Sequence, residues 1–225
     1  MKYFAALLFS VTLFMACSGD SSSSTSATTP NEGFSSSRVD SSSSSSVIPG
    51  LTGNLTDSRD GQTYKTVAIG NQTWMAENLN YETANSYCYN DESTNCTKYG
   101  RLYTWAAAIM ACPSGWHLPD STEWETLFAA IGGQTTAGKI LKSTSGWYDD
   151  GNGTDGVSFS AKAIGRRNES GDYYDEGYNA HFWSSTESDG VYAYNLGLYY
   201  NDEHAYLDYK SKTHGYSVRC LQNWH

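Results

Sequence analysis

Four cysteines, Cys88, Cys96, Cys112 and Cys220, constrain the fold more than any other feature of this chain. An even set in an exported protein reads as a disulfide framework. Four cysteines allow three pairings. Cys88–Cys96 and Cys112–Cys220 are favoured, because the first pair brackets a short polar loop and the second ties a helix end to the last strand. On the chain-entropy model the long loop contributes roughly 4 to 5 kcal/mol and the short one about 2.5 kcal/mol. The alternative is a fully reduced set. A zinc site is disfavoured, since no C-x-x-C occurs and the five histidines lack paired ligand spacing.

Export is read from the first residues. Lys2 is followed by an apolar run from Tyr3 to Ala16, then by Cys17. A positive start, a short apolar region and a small residue before the cut define a secretory signal. At about 13 residues the run is too short to span a bilayer. A cysteine at the cut position resembles a bacterial lipoprotein signal, with Cys17 as the lipidated residue; Phe14 departs from that motif's usual Leu. The expectation is a signal peptide over 1–16 and a chain exported to the cell envelope, lipid-anchored to the outer membrane.

Residues 17–49 form a Ser-rich linker with runs at Ser21–Ser24, Ser35–Ser37 and Ser41–Ser46. So little apolar content cannot offset the entropy of ordering. Such a spacer spans roughly 30 Å. The domain proper is expected over 50–225. The formal net charge is −10, which repels phosphate backbones and anionic lipid, so nucleic acid is excluded as a partner and membrane contact is left to the lipid.

Within the domain, Thr63–Ile69 and Gln72–Met75 flank Gly70-Asn71 and predict a β-hairpin. Arg101–Ala111 predicts a helix with Leu102, Trp105, Ala106 and Ile109 on one face. A second helix starts at Asp120, whose spacing to Glu123 is that of a capping box, with Trp124, Leu127, Phe128 and Ile131 as its buried stripe. Thr136–Lys142 adds one helical turn. Val157–Ala161 and His181–Ser184 are short strand-like islands in a region dense in Gly, Asp, Asn, Ser and Tyr. Val191–Tyr200 and Ala205–Lys210 predict a second hairpin, and Tyr216–Leu221 the closing strand. Helices early and strands late predict an α+β domain.

Several runs carry a family resemblance: VAIGNQTWMAENL from Val67 to Leu79, YGRLYTW from Tyr99 to Trp105, CPSGWHLP from Cys112 to Pro119, Glu123-Trp124, FWSSTE from Phe182 to Glu187 and SVRC from Ser217 to Cys220. The chain resembles the Fibrobacter succinogenes major paralogous domain family. More remotely, WHLPDSTEWE from Trp116 to Glu125 is similar to the R-L-P-T-x-x-E-W-E segment of formylglycine-generating enzymes. These resemblances imply a C-type-lectin-like fold: two helices on a small, mostly antiparallel sheet, with a long-loop region. A helix-to-last-strand disulfide recurs in C-type lectins, which fits Cys112–Cys220.

Formylglycine-generating enzymes work through a free cysteine pair late in the domain. Here Cys220 is the only late cysteine and has a disulfide partner available, and a disulfide sulfur is no nucleophile. No G-x-S-x-G, H-E-x-x-H or S-x-x-K occurs. No catalytic residue is therefore assigned. The E-P-N, Q-P-D and W-N-D motifs of calcium-dependent lectins are also missing. Calcium is kept as a candidate on Asp149, Asp150, Asn152 and Asp155, which share a Gly-rich loop and offer oxygen ligands.

The chain has 18 Tyr and 7 Trp, more than a small core uses. Trp147, Tyr148, Tyr173, Tyr174 and Tyr178 lie in loops beside Asp and Asn and are the candidate ligand-binding residues, since flat amphipathic rings next to amides and carboxylates suit sugars. His117 and the Glu77-Asn78 pair are expected to be structural. The leading expectation is a non-catalytic envelope lipoprotein that binds an extracellular ligand, with polysaccharide the best guess. The alternative is a structural envelope protein that contacts other surface proteins. A third reading is an enzyme on a formylglycine-generating-enzyme-like fold.

Overall fold

The computed structural model describes residues 51–223. The signal peptide, Cys17 and the serine linker lie outside the described residues.

Edge strand β1 (Thr52–Thr56) leads into the hairpin β2 (Thr63–Ile69) and β3 (Gln72–Met75), which falls where the sequence places it. β1 was not expected, because only one of its residues is even half-buried and it carries no apolar alternation. Next come β4 (Ser86–Tyr87), a 3-10 turn (Tyr89–Asp91), α1 (Ser93–Tyr99), β5 (Leu102–Tyr103), α2 (Trp105–Ala111) and β6 (Trp116–His117). The helix expected over Arg101–Ala111 is thus split. Leu102 and Tyr103 are extended and pair with Tyr87 and Ser86, so the helical phase starts at Trp105. Ala108 and Ala111 then face inward, while Ala106 and Ile109 face solvent.

α3 (Ser121–Ala130) carries the expected capping box. Glu123 N–H donates to Asp120 Oδ1 at 2.8 Å, and Asp120 N–H donates to Glu123 Oε2 at 2.8 Å. Its stripe of Trp124, Leu127 and Phe128, with Ile131 just beyond, is buried as read. α4 (Gln134–Leu141) is longer than the single turn expected.

β7 (Arg166–Arg167) and β8 (Tyr173–Tyr174) form a small ribbon. β9 (Asn179–Glu187), β10 (Tyr192–Tyr199) and β11 (Ala205–Ser211) form a three-stranded antiparallel sheet, which includes the expected second hairpin. Val157–Ala161 is not a strand: only Ala161 makes a bridge, to Lys142. The closing segment is regular only at β12 (Leu221–Gln222). Before it, Gly215, Tyr216 and Ser217 bridge Arg167, Tyr103 and Phe182 in turn.

β12 joins the first sheet, whose order is β1-β2-β3-β12-β6, so early and late strands share one antiparallel sheet. The domain is mixed α/β, with four α-helices and several antiparallel sheets among the described residues. One core packs α3 and α4 against β9 and β10, around Trp74 and Trp124 at 4.6 Å between ring centroids. A second gathers Tyr103, Trp183, Tyr216 and Val218. Cys88–Cys96 and Cys112–Cys220 are both bonded, the pairing favoured from the sequence. Two disulfides are consistent with an exported chain, and no helix of the described residues is long and apolar enough to cross a membrane.

Candidate functional site

The loop after α4, the turn after β8 and the end of β10 meet in one place. Tyr148 N–H donates to Gly177 O at 2.8 Å, and Tyr200 N–H donates to Tyr178 O at 2.8 Å. These backbone bonds bring three tyrosines together. The rings of Tyr148 and Tyr178 stack with centroids 4.5 Å apart, and Tyr200 stands edge-on to both at 5.5 and 5.3 Å. Tyr148 is 52% exposed and Tyr178 39%. Burial against its neighbours, then the adjacent Tyr148, pushes the Tyr178 phenol above its ordinary value, so its hydroxyl stays protonated and able to donate at neutral pH.

Next to Tyr200 in the turn lies Lys142, only 2% exposed. Its ammonium donates to the carbonyls of Tyr199 (2.9 Å), Asp202 (3.0 Å) and Tyr200 (3.4 Å), which fastens the β10–β11 turn to the end of α4. Two glycines allow this close approach. A Cβ on Gly138 would run into the His204 carbonyl, and one on Gly151 into that of Tyr200.

Beside the rings is a recess of about 220 Å³ lined by Lys139, Lys142, Asp149, Asp150, Tyr200, Asp202 and Glu203, among others. Four carboxylates against two ammonium groups make it acidic. The Tyr206 hydroxyl, and then the His204 backbone N–H, hold the Asp202 carboxyl down at about 2. Such a surface offers apolar ring faces next to charged acceptors, a combination that suits neutral hydroxylated ligands.

The sequence-derived candidates divide. Tyr148 and Tyr178 come together, but Trp147 does not join them. Trp147 is 5% exposed in the core, its indole N–H donating to Ser143 Oγ at 3.1 Å and Ala161 O at 3.2 Å, which corrects its assignment as a ligand-facing ring. Tyr173 and Tyr174 sit on β8. Tyr173 packs on Tyr89 and donates to Asp91, and Tyr174 is exposed beside Arg166. Tyr200, Lys142 and Glu203 were not singled out from the sequence. The signal for Tyr200 was its place before Asn201-Asp202, where a strand residue becomes a turn residue.

Among the described residues no group of three or more His, Cys, Asp or Glu side chains is arranged to hold a metal ion. Asp155 accepts both the backbone N–H and the hydroxyl of Ser160, and Asn152 Oδ1 accepts Trp147 N–H at 3.1 Å. Asp149 and Asp150 are exposed. The four therefore do not converge as calcium ligands. His117 bridges Glu123 Oε1 and Asn223 Oδ1, while Glu77 accepts Lys65 N–H and Asn78 donates to Tyr99 O; both readings as structural groups fit these contacts. All four domain cysteines are in disulfides.

The family model for the Fibrobacter succinogenes major domain matches residues 67–222. The chain belongs to the Fibrobacter succinogenes major domain family. No curated protein and no solved structure matches it. The matched span begins within β2 and ends with β12, so the tyrosine cluster and Lys142 lie inside this Fibrobacter succinogenes major domain, whereas β1 precedes it.

Proposed function

We propose that this is a non-catalytic binding module of C-type-lectin-like fold, exported and held at the envelope by a lipid on Cys17, whose tyrosine surface takes polysaccharide. The observation that carries the reading is the stacked Tyr148–Tyr178 pair, exposed and edge-braced by Tyr200 beside an acidic recess. Exposed rings held by backbone hydrogen bonds lose little entropy on binding. Disulfide bonding of every domain cysteine also speaks against thiol catalysis. Retention of the full chain on insoluble neutral polysaccharides tests the reading. Binding that drops on combining Tyr148→Ala with Tyr178→Ala supports it; no retention on any glycan overturns it.

A second reading, a structural protein that contacts other surface proteins, is favoured by one feature. The β10–β11 hairpin presents exposed Tyr192, Tyr206 and Tyr209, with exposed Val191 just before it, and β11 is a sheet edge. An unpaired edge invites strand addition.

A further inference from the structure

A cleft of about 610 Å³ lies between the β1–β2 edge and the loop 155–162, and it shares no lining residue with the recess beside the tyrosines. That volume falls within the usual range of small-molecule sites. Its walls carry Lys65, Lys162, Glu77 and Asp155, with hydroxyls from Thr66, Ser158 and Ser160. Directly behind Ser160 is Arg219, 1% exposed, which donates to Ser160 O at 3.0 Å, to Met75 O at 3.1 Å, to Phe159 O and to Asn78 Oδ1 at 2.7 Å. All these acceptors are neutral. Burial pulls the guanidinium down to about 9, which leaves it charged at neutral pH.

The cations here have no carboxylate partners. Among the described residues, the eight ion pairs use none of Lys65, Lys98, Lys162 and Arg219. Lys162 donates only to the Lys98 carbonyl. Burial first, and then the Arg219 charge, pulls its ammonium below the usual lysine range. In a chain of net charge −10, a cleft whose lining lysines and carboxylates cancel, with the buried Arg219 charge behind it, is a local exception to the acidic surface. Asp155, by contrast, is occupied by Ser160. The balance of Lys65, Lys162 and Arg219 against Glu77 and Asp155 is one positive charge. That balance suits a single carboxylate better than a phosphate dianion, because a second negative charge would meet Glu77 uncompensated.

Three non-glycine residues of the wall, Asp155, Ser158 and Ser160, hold left-handed backbone at φ 48°, 58° and 51°. Such conformations are costly and persist where the surroundings fix them; here the Asp155 carboxylate does so, by taking both Ser160 groups. The wall is thus set before any ligand arrives.

We propose that this cleft binds a polyhydroxylated monocarboxylate, the chemistry of a uronic acid, with Lys65 and Lys162 holding the carboxylate. The site stands independently of the tyrosine surface. Calorimetric titration of the full chain with glucuronate, glucose and inorganic sulfate tests it. Glucuronate is expected to bind at least tenfold tighter than glucose, and the combined Lys65→Gln and Lys162→Gln variant to lose that preference. Glu77→Gln, which keeps an acceptor for Lys65 N–H, is expected to tighten glucuronate binding two- to fivefold. Combining Tyr148→Ala with Tyr178→Ala is expected to leave it unchanged, which separates this site from the tyrosine reading. Equal affinity for glucose, displacement by sulfate at matching concentration, or binding unaffected by the lysine changes overturns the proposal.

Discussion

The buried ammonium of Lys142 lies 2.9 Å from the carbonyl oxygen of Tyr199 and reaches the next turn carbonyls as well. One side chain at the end of a helix therefore fixes the turn that carries Tyr200. Replacing Lys142 by Met removes a charge-assisted donor and leaves three carbonyls to find water. The loss is expected to be about 1 to 3 kcal/mol, read as a lower urea midpoint. Tyr200 should become more mobile by NMR relaxation, while the Trp74–Trp124 core stays intact.

Gly151→Ala tests the same junction by crowding. The added Cβ meets the Tyr200 carbonyl, which is backbone and cannot swing aside. A cost of roughly 1 to 3 kcal/mol is expected from thermal or urea unfolding. An unchanged midpoint would show that the loop does not approach the turn this closely.

Stability should fall with acid in a window set by His181. Burial holds its imidazole at about 4, and Nδ1–H donates to Asn195 Oδ1, whose own Nδ2 donates to Asp208 O. The unfolded chain takes up the proton near the ordinary value of about 6.5, but the folded one resists it until about 4. More protons bind to the unfolded state between these values, so stability is complete above pH 6.5 and declines as pH falls toward 4, by at most about 3 kcal/mol. Urea midpoints measured across that range check the slope, and His181→Gln should flatten it.

Opening Cys112–Cys220 should cost more than opening Cys88–Cys96. The first spans 108 residues and the second 8. Replacing the long bridge by paired serines is expected to remove roughly 4 to 5 kcal/mol, and the short one about 2.5 kcal/mol, on the chain-entropy model. Comparison of the two variants' unfolding midpoints checks the order.

Calcium should not shift the melting temperature. Asp155 is engaged by Ser160 and Asn152 by Trp147 N–H, so the loop lacks a ligand shell. Equal melting midpoints with calcium and with chelator are expected; a rise of several degrees with calcium would restore the ion.

What the sequence determined by itself is whatever local chemistry specifies. The β2–β3 hairpin is written in alternation around Gly70-Asn71, and the start of α3 in the reciprocal Asp120–Glu123 bonds. The disulfide pairing followed because a helix end and the final strand were both recognisable. Tertiary structure decided the rest. Arg101–Ala111 is rich in helix formers, yet Leu102 and Tyr103 gain more by pairing with Tyr87 and Ser86. Trp147 sits among turn residues, and only the packing of α4 against Ala161 turns it into core. Tyr148, Tyr178 and Tyr200 are up to 52 positions apart in sequence and meet through backbone bonds between loops. No local pattern encodes such a meeting, because its energy comes from closing loops onto a core already formed.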